Sequence, residues 1–299
     1  SAQINSGKVN TVYALSFTNL YFTIDGVSLG YDLYRRDVDA TSLSSVSPYK
    51  TSTIGAGARL GLPINERDFI SFGLTYEQTA ITTTAASPVQ YLNFVNTFGS
   101  NNDTLRFDTS WARDTRNSYL FPTKGLLQRV AAEVGTPAGS LQYYKLTFQH
   151  QQYFPLGRNF TLMLNGELGY GDGLSGKPLP FFKNFYAGGN SSVRGFKNGT
   201  LGPKDSLGDA LGGNERIVGN AELFFPLPGV KDDQSLRMSV FVDTGASFGP
   251  FDVNNQYQSF SFGDMRYSAG VAVLWVSPLG PLKFSLAQPL VRKTGDKSE

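Results

Sequence analysis

Apolar residues recur at every second position through most of this chain, which is the period of a β-strand and not of a helix. Tyr13, Leu15 and Phe17 share one face of a run whose other face carries Ala14, Ser16 and Thr18. The alternation returns with Val27, Leu29, Tyr31 and Leu33 against Ser28, Gly30 and Asp32, and with Ile54, Ala56, Ala58, Leu60 and Leu62 against Thr53, Gly55, Gly57 and Arg59. It continues with Ile70, Phe72, Leu74 and Tyr76 against Ser71, Gly73, Thr75 and Glu77, then at 105–111 and 130–134. Longer runs follow at 141–156 and 159–170, and beyond a long connection lie 215–226, 235–248, 264–277 and 281–289. With a short first run at 2–8, about thirteen strands are expected, many longer than the usual five or six residues. No segment shows a helical period, and 83–102 reads as a polar loop. Pro- and Gly-rich pieces at 62–65, 154–157, 226–229 and 277–281 read as turns.

A soluble β-sandwich alternates in the same way, so the polar face has to decide. Arg59, Glu77, Arg106, Asp108, Arg129, Glu133, Lys145, Glu167, Glu222, Arg237, Asp243 and Arg266 all fall on it. In a sandwich they would point into an apolar core, where unpaired charge is very costly; a wet barrel lumen accepts them. Runs of about ten residues, apolar faces ending in Tyr, Phe or Trp, and short turns alternating with longer loops point the same way. The expected fold is therefore all-β, an antiparallel transmembrane β-barrel forming one domain over residues 1–299.

Composition narrows this further. The chain of 299 residues has 13% aromatic and 17% charged residues with a mean hydropathy of -0.20, too aromatic for disorder and too polar for a bundle of membrane helices. No stretch reaches the roughly 18 apolar residues that a membrane helix needs. The absence of cysteine removes disulfides, thiolate chemistry and Cys-based zinc sites, and it suits an extracytoplasmic protein. A net charge of +2 from 26 basic and 24 acidic residues, interspersed along the chain, gives no case for nucleic acid. Ser1-Ala-Gln-Ile-Asn5 has neither the basic start nor the apolar core of a signal peptide, so a mature fragment is expected.

Little of the remaining chemistry suggests catalysis. Gly55-Ala-Gly57-Ala-Arg-Leu-Gly61 resembles a nucleotide-binding pattern but lies inside an alternating run, so these glycines read as lumen-facing strand positions. His150, the single histidine, reads as an ordinary strand residue, and Asp232-Asp233 as a solvated turn. No metal site and no cofactor is expected. Glu222 and Asp243 sit on the polar faces of consecutive strands. A hydrolytic carboxylate pair has that form, and so does an anchor for a cation. Arg194 lies in the long connection, about 171–214, and its planar fork of five donors suits carboxylates in a confined space. The glycines around it, Gly188, Gly189, Gly195, Gly199 and Gly202, permit tight turns and close approach to a wall.

At these residues the chain resembles the BamA-type outer-membrane protein insertase superfamily. Phe185-Tyr-Ala-Gly-Gly189 leads into Val193-Arg194-Gly195-Phe196, which matches the signature of the family's sixth extracellular loop. Asp25-Gly-Val-Ser-Leu-Gly30, Phe121-Pro-Thr-Lys-Gly125, Gly199-Thr-Leu-Gly-Pro203 and Ser268-Ala-Gly270 through Ala287-Gln-Pro289 extend the match over nearly the whole chain. The resemblance implies a sixteen-stranded barrel in the bacterial outer membrane, preceded by periplasmic POTRA domains and opening between its first and last strands. It also implies that Arg194 packs in the lumen against Glu222 and Asp243. By motif the first run is the family's third strand and 281–289 its fifteenth, so POTRA domains and gate strands are expected outside the chain. The implied work is ATP-independent, non-enzymatic folding and insertion of unfolded β-barrel clients. Its implied partners are accessory lipoproteins of the Bam complex, engaged through POTRA domains, and outer-membrane lipid and lipopolysaccharide. A two-partner secretion transporter, an outer-membrane enzyme and a porin are the alternatives.

Overall fold

The computed structural model describes residues 1–43, 45–227, 236–249, 259–277 and 280–299. Thirteen strands follow one another, each antiparallel to the next: β1 (Ala2–Ser6), β2 (Asn10–Asn19), β3 (Ser28–Asp39), β4 (Lys50–Pro63), β5 (Asp68–Thr82), β6 (Asn101–Asp114), β7 (Gly125–Gly135), β8 (Tyr143–Leu156), β9 (Phe160–Gly173), β10 (Glu215–Pro226), β11 (Leu236–Phe248), β12 (Arg266–Ser277) and β13 (Gly280–Val291). The expected turns at 226–229 and 277–281 fall partly, and Asp232-Asp233 wholly, outside the described residues.

Register keeps the two faces separate. Leu33 pairs with Ala56, Ala56 with Tyr76 and Tyr76 with Leu105, all on the outer face. One residue along, Tyr34 pairs with Gly55, Gly55 with Glu77 and Glu77 with Thr104, all on the inner face. A one-residue slip would put every charge into lipid, so the alternation fixes the register. The outer face is an open apolar surface carrying Phe17, Leu33, Leu74, Leu168, Val242 and Leu286, as a bilayer requires.

The sheet curls until remote strands share the space inside. Phe121, in the turn between β6 and β7, places its ring 4.6 Å from the Arg237 guanidinium on β11. At the other end, the connections 40–49, 83–100, 136–142 and 174–214 gather over an aromatic core of Tyr49, Tyr91, Phe94, Tyr143 and Phe181. Tyr91 and Phe181 stack with centroids 4.0 Å apart.

Two expectations are corrected here. Residues 83–102 include a helix, α1 (Val89–Phe98). Tyr91, Phe94, Val95 and Phe98 have the i, i+3, i+4, i+7 spacing of one helical face, and that face packs on the aromatic core. At ten residues α1 is marginal on propensity, and tertiary packing stabilises it. The long connection also starts later than expected, since β9 runs on to Gly173.

Candidate functional site

The connection 174–214 leaves the end of β9, contributes Phe181 to the aromatic core, and then descends into the barrel. Its glycines shape that path in two different ways. Gly188 and Gly195 have φ of +105° and +83°, a region that side-chain-bearing residues seldom adopt. At Gly195 an added Cβ would also lie 3.1 Å from the Ala287 Cβ on β13. Gly189 and Gly199 share the positive φ. Gly202 does not; there an added Cβ would lie 2.1 Å from the Ser247 hydroxyl, so this glycine lets the chain press against β11. Val193, Phe196 and Leu201 are fully buried and form a small core with Ala187. Val193 seats against Gly245, where an added Cβ would come within 2.8 Å of its side chain.

Arg194 lies between two carboxylates. Its Nε donates to Asp243 Oδ2 at 2.6 Å and its Nη2 to Asp243 Oδ1 at 2.7 Å, a bidentate fork, while Nη1 donates to Glu222 Oε2 at 3.1 Å. The Arg194 backbone N–H adds a 3.1 Å bond to Asp243. Arg194 is 4% exposed, Glu222 1% and Asp243 0%. Burial of this depth is costly unless every charge is matched. Lys283 on β13 donates to Glu222 at 3.0 Å, so two cations face two anions. Ser239 donates to Glu222 Oε1 at 2.5 Å and Asn220 to Asp243 Oδ1 at 2.9 Å, which leaves no oxygen of either carboxylate without a donor. Burial by itself would depress the Arg194 pKa, but the hydrogen bonds and charge of Asp243 and Glu222 offset it and raise the pKa above the ordinary arginine value.

An aromatic face completes the pocket: the Arg194 guanidinium carbon sits 3.3 Å from the centroid of the Phe241 ring. That ring has room because β12 carries Gly270, where an added Cβ would lie 2.6 Å from Phe241 Cζ. On its far side the tip is bordered by residues after β13. Lys197 N–H donates to the Lys297 carbonyl at 2.8 Å and Glu299 N–H to the Gly195 carbonyl at 3.2 Å.

The structure thus brings Val193, Arg194, Gly195 and Phe196 together with Glu222 and Asp243 on the inner wall. Phe241, Lys283, Asn220 and Ser239 are the members of the site that sequence reasoning missed. Phe241 had a signal, since it is an aromatic residue on a face otherwise given to Ser239, Asp243 and Gly245. Lys283 had none beyond parity. The glycines of the nucleotide-like pattern are inner-face positions on β4; Tyr34 lies across Gly55, where an added Cβ would come within 2.5 Å of its ring. His150 is half-buried on β8, its Nε2 3.2 Å from Gln152 Oε1.

Fold and site define a class: an antiparallel β-barrel wall with an apolar exterior, a charged interior and a long loop pinned inside by an arginine. Comparison with known proteins agrees. The model of the Omp85 superfamily domain matches residues 1–299. The chain is 41% identical over 331 aligned positions to the outer membrane protein assembly factor BamA of Neisseria meningitidis serogroup B, covering 99% of this chain and 42% of that protein. Among solved structures, BamA from Haemophilus ducreyi lacking POTRA domains 1–3 superposes with a TM-score of 0.89 at 29% identity, covering 97% of this chain and 60% of that one. CdiB from Acinetobacter baumannii superposes at 0.58 with 14% identity, covering 97% and 48%, and shares the fold alone. This chain belongs to the Omp85 superfamily, and it spans less than half the length of the Neisseria relative.

Proposed function

We propose that this chain is the barrel of an outer-membrane protein assembly factor, which folds β-barrel clients and inserts them into the bacterial outer membrane. The 41% identity across 99% of the chain carries the reading. The work in it is non-covalent. Unpaired strand edges beside the barrel seam offer backbone donors and acceptors to a client strand, and thinning of the bilayer near a mismatched wall lowers the cost of insertion. No nucleotide, metal or cofactor enters. Glu222 and Asp243 hold Arg194 rather than a substrate, with every carboxylate oxygen already engaged. Accessory lipoproteins, lipid and lipopolysaccharide are its further partners.

In this reading the tip at Val193 to Phe196 braces β10 to β13 and keeps the barrel in its working shape. Passage of an unfolded chain through the lumen, as in a two-partner secretion transporter, fits less well because the loop fills the space beside Arg194. The test is reconstitution of the full-length protein in liposomes with a urea-unfolded barrel client and no nucleotide. Folding of the client, read as heat-modifiable migration, is expected to exceed that in empty liposomes severalfold. Equal rates, or recovery of the client as a soluble chain across the bilayer, would overturn the assignment.

A further inference from the structure

The long loop also meets the wall on the other side of β9, at β5 to β8, through residues that the family signature does not include. Its ascending part contains a short 3-10 turn, Phe181–Lys183. From it the Lys183 Nζ reaches Glu133 Oε1 on β7 at 2.7 Å and lies 3.9 Å from Glu77 Oε2 on β5. Tyr143 on β8 donates to the same Glu133 oxygen at 2.5 Å. Glu77 is held in turn by Tyr34 on β3 and Arg106 on β6, and Arg106 also binds Asp108 at 2.9 Å. Lys145 on β8 donates to the Lys183 carbonyl at 2.6 Å and lies 4.2 Å from the Phe185 ring.

Three carboxylates, Glu77, Asp108 and Glu133, therefore face three cations, Arg106, Lys145 and Lys183, of which only Lys183 comes from the loop. We propose that Lys183 and Glu133 form a second latch of the lumen loop, a positioning contact that ties its ascending limb to β5–β8 while Arg194 ties its tip to β10–β13. The loop is then a strap fastened to the wall on both sides of β9. Freeing the tip alone leaves the ascending limb in place, and clearing the lumen requires both latches to open. Removing Lys183 leaves three carboxylates against two cations, a surplus of like charge on the wall it left.

Each latch has its own signature in amide hydrogen exchange of the full-length protein in lipid nanodiscs. Lys183→Met is expected to speed exchange at 178–186 at least tenfold while leaving 193–201 and the strands unchanged, and Arg194→Lys is expected to give the converse. Lys183→Arg should keep protection. Lys183→Glu should lose it and regain it when combined with Glu133→Lys, a reciprocal rescue that general destabilisation would not give. Unchanged exchange at 178–186 in Lys183→Met, equal acceleration at both ends, or no rescue by the swap would overturn the proposal. Its consequence for client assembly rests on the proposed function. If the exchange pattern holds and client folding is untouched by Lys183→Glu, the latch stands and its role in assembly fails.

Discussion

Replacing Arg194 with alanine tests how the plug is held. The substitution removes three side-chain hydrogen bonds and the cation from a pocket in which Asp243 is fully buried. Asp243 keeps Asn220 and the backbone N–H of residue 194, but no cation. Glu222 keeps Lys283 and Ser239. Breaking a buried ion pair from one side costs about 3–5 kcal/mol, and the retained partners of Glu222 place this case toward the lower figure. Such a change shifts the docked–undocked equilibrium of the tip by about a hundredfold to a few thousandfold. Arg194→Lys keeps the charge but gives up the bidentate fork on Asp243, so a smaller shift of about tenfold is expected. Because residues 1–299 lack cysteine, Ser192→Cys supplies their single thiol at a position 4% exposed, beside the pocket, and labelling is read on the peptide that contains it. Its rate of maleimide labelling in intact outer membranes reads the undocked population directly. A rise in the order wild type, Arg194→Lys, Arg194→Ala with the last at least a hundredfold is the expected result. Equal labelling in all three would refute the view that Arg194 anchors the loop.

Other expectations follow from the same geometry. Asp243→Asn should label faster than Glu222→Gln, since Asp243 takes two side-chain bonds from Arg194 and Glu222 one. Gly195→Ala should weaken docking by about 1–2 kcal/mol through its left-handed backbone and by further crowding against Ala287, whereas Gly157→Ala, with φ +77° and open space around it, should leave docking unchanged. Phe181→Ala should cost about 3–5 kcal/mol in the aromatic core, seen as lost exchange protection across α1 with the strands intact. Phe121→Ala should speed amide exchange in the turn 115–124, because it removes the ring that packs 4.6 Å from the Arg237 guanidinium.

Much of this architecture is legible in the order of residues. Period-two alternation set thirteen strands and assigned Glu222 and Asp243 to the inner face, because side-chain direction in a strand depends only on parity. The same rule explains what escaped. Helix α1 has one apolar face of four residues between polar flanks, and it forms because the aromatic core at the loop end is there to receive it.

By itself, the sequence determined which residues face lipid, which face the lumen, and that one glycine-rich loop carries an arginine suited to carboxylates. The family resemblance implied that Arg194 meets Glu222 and Asp243, and only the tertiary structure decided what else holds the loop. The sheet places β5 to β8 on one side of β9 and β10 to β13 on the other, so Lys183 and Arg194, eleven positions apart, fasten to different parts of the wall. The Arg194 pocket is equally a product of strand pairing: Phe241 and Gly270 are register partners on β11 and β12, and Lys283 reaches Glu222 from β13 with its long side chain. Alternation is local and survives in the order of residues, whereas these contacts depend on strand register and curl, which no short stretch of chain encodes.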